Sequence, residues 1–382
     1  METQELPTSP LHARHELAGG RFVEFAGWRM PLHFGSILEE HRACRGSAAW
    51  FDVSHMGRLY LSGPTARRVV EALVTRRVSD MAPGRVRYAL VCQDDGGVID
   101  DVLVYRREEG WLLVVNASNR AAVVAQIGAV AGRLGVEAEM DDRTEATAMA
   151  AVQGPAVMGW LGRFSADAAR LKRYGFLEID LLGRSVLVSR TGYTGEDGVE
   201  AIFDAGAAPG MFATFEEALT DGDEGVALPP AGLGARDTLR IEAGLPLYGH
   251  ELSRRVNPLE AGLGFAVTLD KGSESSGPKV PRFAGQDALE RVAEAGVGRR
   301  LMGVEFAGRR TPRQGAGLFV GGERVGEVTS GCLSPTLGKP IAIAWCAAGA
   351  AEAGTEAEAE AGSGRVSGVM RALPFYRRAQ GA

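Results

Sequence analysis

The chain has 382 residues, two to three times the usual domain length, so two or three domains with a sizeable buried core are expected. Charged residues at 24% and hydrophobic residues at 45% read as globular, and the 17 prolines and 52 glycines stay below the level of a disordered chain. A formal net charge of −6 argues against a dedicated nucleic-acid binder and leaves any anion site to local arrangement.

The N-terminal METQELPTSPLHARHELAGG lacks a basic segment followed by an apolar one, and no run of about 18 apolar residues occurs, so a soluble, cytoplasmic protein without a membrane partner is expected. ARRVVEALV (66–74) has helical spacing. The runs VRYALVC, VIDDVLVYR and WLLVVNA (86–117), separated by QDDGG and REEG, predict an antiparallel meander. AAVVAQIGAVAGRLG (121–135) predicts a helix ended by glycine. A second β-rich block, FLEIDLL-GR-SVLVSR, leads through the loop TGYTGEDG (191–198) into VEAIFDA. Pro229 and Pro230 precede AGLGARDTLRIEAG, a helix stopped at Gly244. GLGARD is no dinucleotide fingerprint, because no strand precedes it and Asp237 stands where the third glycine belongs.

The polar, Gly/Pro-rich DKGSESSGPKVPRFAG (270–285) is the best linker candidate. After it, short runs punctuated by glycine (LMGVEFA, GAGLFVGGERVGEVTSG, PIAIAWC, GRVSGVMRAL) predict a small β barrel or sandwich. TEAEAEAGSG (355–364) has the period of an exposed edge strand and the composition of a disordered loop. Strands and helices mix without regular βαβ alternation, so the fold class is α+β with mostly antiparallel sheets.

Three features carry chemistry. Asp100 and Asp101 lie inside an otherwise apolar strand, where Asp is disfavoured. Alternation puts Asp101 with Ile99, Leu103 and Tyr105, and Asp100 with Val98, Val102 and Val104, while Tyr88 and Asn116 come from neighbouring strands. Such a carboxylate is either a structural acceptor or a general base and electrostatic group. The loop TGYTGEDG is either a tight turn or a ligand loop in which Tyr193 stacks on a planar ring and Glu200 accepts from an aminopyrimidine. Arg236 and Arg240, four apart on one helix face, either flank an anion or pair with acids. Histidines 12, 15, 33, 41, 55 and 250 and cysteines 44, 92, 332 and 346 show neither metal-ligand nor disulfide spacing, and no serine or cysteine hydrolase signature occurs.

The motifs EFAGWRMPLHF (24–34), FDVSHMG (51–57), GGVIDDVLVYR (96–106), VVNASN (114–119), RTGYTGEDGVE (190–200), GLGARDTLRIEAGLPLYGHEL (232–252), VGEVTSGCLSPTLGKPIAIA (325–344) and PFYRR (374–378) closely resemble, in order and wording, the aminomethyltransferases of the glycine cleavage system, the T-proteins. The resemblance spans about residues 10–378. It implies a three-lobed, cloverleaf-like fold: a folate-binding body over 10–268 with two interleaved lobes, a connection over 269–297, and a barrel-like domain over 298–378.

The resemblance further implies transfer of the methylene carbon of an aminomethyl group from a lipoylated H-protein to tetrahydrofolate, the co-substrate, with release of ammonia and no metal. The decarboxylating and dihydrolipoyl dehydrogenase components would be functional partners. By the same resemblance Asp101 is the essential acid, Tyr88, Asn116, Tyr193 and Glu200 bind the pterin with Met56 in the wall near the methylene carbon, and Arg236, Tyr376 and Arg377 complete the folate site. Related folate-dependent demethylases of small methylated compounds, and folate-binding maintenance factors for iron–sulfur proteins, share the fold. The latter carry a K-x-C-Y-x-G-Q-type motif where this chain has RTGYTGE, with no cysteine. Two departures from the family pattern, the long polar 271–285 connection and the Ala/Glu run near 350–361, lie outside the motifs.

Overall fold

The computed structural model describes residues 5–181, 183–213, 228–273 and 280–378. The chain opens with a hairpin of β1 (Arg21–Phe25) and β2 (Trp28–His33), turned through Ala26 and Gly27, both at positive φ. That is the turn geometry whose twist matches paired strands. After β3 (Ala49–Asp52) the chain leaves to build an entire sheet from β4 (Gly57–Ser62), β5 (Arg85–Cys92), β6 (Val98–Arg106), β7 (Trp111–Val115) and β8 (Glu139–Asp142), in the order β5-β6-β7-β4-β8. It then returns in β9 (Thr147–Gln153), which pairs antiparallel with β3. With β10 (Phe176–Leu181), β11 (Arg184–Ser189) and β12 (Gly198–Asp204), these strands form a second sheet ordered β10-β11-β12-β9-β3. The sequence of one sheet is thus nested inside the other.

Each sheet has an outer and an inner face. The helices Ala66–Leu73 and Arg120–Leu134 cover the outer face of the first sheet, burying Val69, Val70, Leu73, Val123, Ile127 and Val130 against Val102, Val104 and Leu113. Gly135 in the left-handed region stops the second helix, as the sequence predicts. Short helices at Val157–Leu161 and Ala166–Ala169 cover the second sheet. The two inner faces meet in a shared layer of Phe51, Val53, Tyr105, Leu112, Met149, Ala151, Leu187 and Ile202. The helix Leu233–Glu242 closes that layer with Ala235 and Leu239.

Strands β13 (Arg299–Phe306), β14 (Gly317–Val320), β15 (Glu323–Leu333), β16 (Pro340–Ala347), β17 (Glu356–Ala361) and β18 (Gly364–Arg371) close into a barrel. The Ala/Glu run is neither an edge nor a loop. β17 pairs with β14 on one side and β18 on the other, turning Ala357, Ala359 and Ala361 into the barrel core. The 270–285 stretch also differs from a free linker, although 274–279 lie outside the described residues. Lys271 is fully buried, its Nζ 2.7 Å from Glu71 Oε1 and bonded to Val74 O at 3.0 Å, and Phe283 and Ala284 are buried too.

Candidate active site

The local register of β6 sets the geometry. A β-bulge interrupts its pairing with β5, so that Val91 faces Asp100 and Cys92 faces Val98. Beyond the bulge the expected alternation runs: Asp101 lies with Leu103 and Tyr105 toward the inner layer, and Asp100 with Val102 and Val104 toward the helix-covered core. Before the bulge it inverts. Ile99 joins the Val102 side, and Val98 packs with Leu90 and Cys92 beneath Tyr88 and Tyr248. The face partners expected for Ile99 and Val98 are therefore exchanged, because one extra residue flips the side chains on one side of it.

Both carboxylates hang from Asn116. Asn116 Nδ2 donates to Asp101 Oδ1 at 2.9 Å and to Asp100 Oδ1 at 2.8 Å, and the Asn116 N–H donates to Asp100 Oδ2 at 2.9 Å. Asn119 Nδ2 adds a bond to Asp100 at 2.7 Å, and Tyr88 OH donates to Asp101 Oδ2 at 3.2 Å. Asp100 is wholly buried and Asp101 half-buried. Burial raises both carboxyls above their ordinary value, and the neighbouring charge of Asp101 raises Asp100 further. Burial, then the adjacent carboxylate, likewise pushes the Tyr88 phenol well up.

From the opposite sheet, Glu200 on β12 shares the inner face with Ile202. Its carboxylate accepts from Thr191 Oγ1 at 2.5 Å, and burial raises its pKa while Arg236 draws it down. A bond of 3.1 Å between Tyr105 OH and Ser189 Oγ ties the two sheets together beside it. Tyr193 anchors its phenol to Pro246 O at 2.5 Å, and the Arg236 guanidinium lies over its ring, 4.7 Å from the centroid. Arg236 Nη1 is buried with no hydrogen-bond partner among the described residues. A buried guanidinium with a spare donor beside an aromatic ring and a carboxylate has the chemistry to hold a polar, anionic, ring-containing molecule.

The structure brings Tyr88, Asp101 and Asn116 together directly, and gathers Tyr193, Glu200 and Arg236 around the same layer, against which Met56 packs. The Tyr376 ring lies over the Arg45 guanidinium, and Arg377 beside it is exposed. Of the two readings open for Arg236 and Arg240, Arg240 follows the pairing with acids. Arg240 is buried and spent on Asp237 at 2.8 Å, Glu251 at 2.8 Å and Ser330 at 2.6 Å. Among the described residues no group of three or more His, Cys, Asp or Glu is placed to hold a metal ion, and no helix is long and apolar enough to cross a membrane.

Residues 11–271 match the family model described as the GCVT N-terminal domain, and residues 299–377 match the glycine cleavage T-protein C-terminal barrel domain. The chain belongs to the glycine cleavage T-protein family. It is 45% identical over 374 residues to an aminomethyltransferase of Rubrobacter xylanophilus, covering 98% of this chain and 95% of that one. It is 46% identical over 377 residues to an aminomethyltransferase of Moorella thermoacetica, covering 98% and 99%. The crystal structure of the glycine cleavage system aminomethyltransferase T from Bartonella henselae superposes with a TM-score of 0.85 at 32% identity, over 97% of this chain and 98% of that one.

Three residues of the site escape the sequence reading. Asn119 lies in VVNASN, where two amides three apart suit a carboxylate pair. Glu196 was within the ligand loop but had no visible partner. Arg45, its partner, sits 151 positions away in the helix Ile37–Gly46, and no local pattern marks that ion pair.

Proposed function

We propose that the protein is the cytoplasmic aminomethyltransferase of a glycine cleavage system, with a lipoylated H-protein as donor and tetrahydrofolate as acceptor. The donor's S–CH2–N unit loses its carbon: the C–S and C–N bonds break and two C–N bonds to the folate form. The two folate N–H protons leave, one on the released ammonia and one on the dihydrolipoyl thiol. The observation that carries the reading is Asp101, a half-buried carboxylate with a raised pKa, oriented by Tyr88 and Asn116 and facing a layer lined by Tyr193, Glu200 and Arg236.

Positive charge develops on the methylene carbon as its bond to nitrogen weakens. A carboxylate in a dry layer opposes that charge more strongly than it would in water and can accept a folate N–H proton. Glu200 suits the amino and ring N–H donors of a pterin, Tyr193 offers a ring face, and Arg236 offers a charged donor for a carboxylate or carbonyl. Packed side chains around the layer limit water, which competes with folate for an activated methylene.

The test is a coupled assay in which purified protein receives aminomethylated, lipoylated H-protein and tetrahydrofolate, and methylene-tetrahydrofolate and ammonia are measured. Equal production of both supports the reading. Turnover of small N-methylated amines in place of the H-protein donor would reassign the protein to a demethylase.

A further inference from the structure

Arg45 touches the three segments that carry Tyr193, Arg236 and Tyr376. It stands in the last turn of the helix Ile37–Gly46, with its side chain mostly buried. Nη1 donates to Thr194 O at 2.7 Å and Glu196 Oε1 at 2.9 Å, in the loop that presents Tyr193. Nη2 donates to Leu239 O at 3.3 Å and to Glu242 Oε2 at 3.0 Å, and Nε donates to the same oxygen at 3.2 Å, on the helix that presents Arg236. The guanidinium carbon lies 4.0 Å from the centroid of the Tyr376 ring. All five N–H donors are occupied by protein, so Arg45 holds the site's walls and has none left for a ligand.

The C-terminal barrel grips the same hub. Glu242 is fully buried and accepts from the Ser334 hydroxyl, from the Thr336 N–H at 3.0 Å and from the Thr336 hydroxyl at 2.7 Å, with His41 Nε2 at 3.2 Å. Although burial opposes ionisation, these partners hold Glu242 down at about 2, so it stays charged against Arg45. The loop needs such a fixture. Gly195 sits at positive φ and Gly192 and Gly198 flank the turn, and glycine loses more freedom on ordering than any other residue.

We propose that Arg45 is a positioning residue for folate, and that through Glu242 and Arg45 the barrel residues Ser334 and Thr336 set the conformation of the 190–197 loop. This rests on the folate reading given above. Lysine keeps the charge but offers a compact ammonium in place of a planar fork, and it cannot reach Thr194, Glu196 and Glu242 together.

The test compares Arg45→Lys, Glu196→Gln and Thr336→Val with Val366→Ala, a barrel-core truncation away from the hub. Tetrahydrofolate affinity is measured by calorimetry, KM is measured separately for folate and for the H-protein donor, and melting is recorded for each. Arg45→Lys is expected to weaken folate affinity and raise folate KM at least ~10-fold, the equivalent of one charge-assisted hydrogen bond. The donor KM and the kcat at saturating folate should stay within about threefold. Thr336→Val and Glu196→Gln should move the same constant in the same direction, and Val366→Ala should lower Tm without moving it. If Arg45→Lys does not fold, the other two hub variants decide. Unchanged folate affinity in the folded hub variants, or a change matched by Val366→Ala, overturns the inference alone. A wild-type protein that does not bind tetrahydrofolate overturns the functional reading, and the inference falls with it.

Discussion

Replacing Asp101 by Asn separates the charge of this carboxylate from its shape. Its two oxygens accept from Tyr88 OH at 3.2 Å and Asn116 Nδ2 at 2.9 Å. An asparagine satisfies both neighbours if its oxygen takes the Asn116 donor and its amide faces the phenol, which then accepts. What disappears is the negative charge and the basic oxygen. A positioned acid or base is worth ~100 to 10,000-fold in rate, so methylene transfer should slow by at least ~100-fold. Folate affinity should change by less than about threefold, because Tyr193, Glu200 and Arg236 stand on other elements.

Stability should move the opposite way. Burial raises the Asp101 carboxyl from 3.8 to about 6. The folded state therefore holds the proton more tightly than the unfolded chain, and the stability this confers is present below 3.8 and lost as pH rises through about 6. The variant should match the wild type in acid and melt higher than it at pH ~8. The same titration makes wild-type turnover fall as pH drops through about 6, a limb that Asp101→Asn should lack.

Single-turnover formation of methylene-tetrahydrofolate, with melts over the same pH range, reads both effects. Asp100→Asn is the control. Asp100 accepts three N–H bonds, and an amide there faces donors with a donor, so about 1–3 kcal/mol of stability should be lost with a smaller loss of rate. Equal rate losses in the two variants, or a near-normal rate in Asp101→Asn, would refute the catalytic assignment.

Arg236→Ala should weaken tetrahydrofolate binding by one to two orders of magnitude, as for losing ~1.5–3 kcal/mol of charged hydrogen bonding. Because Nη1 has no hydrogen-bond partner among the described residues, Tm should hold, and unchanged affinity by calorimetry would remove Arg236 from the site. Glu200→Gln replaces one acceptor oxygen with a donor, so it should weaken tetrahydrofolate while barely affecting folate analogues that lack the matching N–H groups; equal losses for both would count against pterin reading. Glu251→Ala strands the buried Arg240 guanidinium at the body–barrel junction and should cost ~3–5 kcal/mol in urea unfolding, with less than about 1 kcal/mol showing that the junction does not depend on it.

The α+β class, the meander and the helices at 120–134 and 233–242 were legible because each rests on local periodicity and a glycine stop. The bulge in β6 was not, since VIDD reads as regular alternation and only pairing with β5 shows the extra residue. Asp101 stood out as a charge in an apolar strand. Spacing left two roles open for Arg240, and only the fold selects the pairing one, because its partners, Glu251 and Ser330, come from a loop and a barrel strand that helix spacing does not reveal. The Ala/Glu run keeps the strand period read from it, but its pairing on both sides was not legible. A strand in a closed barrel needs only enough inward volume to exclude water, and alanine suffices where Met302, Phe306 and Met370 fill the same core.

All four cysteines are buried and unpaired, and burial raises every one of their thiols, Cys44 to about 12 and the other three upward as well. Thiol–disulfide exchange proceeds through the thiolate, so none of them is a competent nucleophile near neutral pH. On the proposed reading the departing carrier arm is itself a dithiol, and once an external oxidant closes it to its cyclic disulfide, a reactive thiolate on the protein could open that ring to a mixed disulfide, leaving the second carrier sulfur as the thiol. A protein that hides and neutralises all of its own sulfur can release that arm in mildly oxidising surroundings without being trapped in a mixed disulfide, and treating it with a thiol-alkylating reagent that is removed before the donor is added should leave its turnover unchanged.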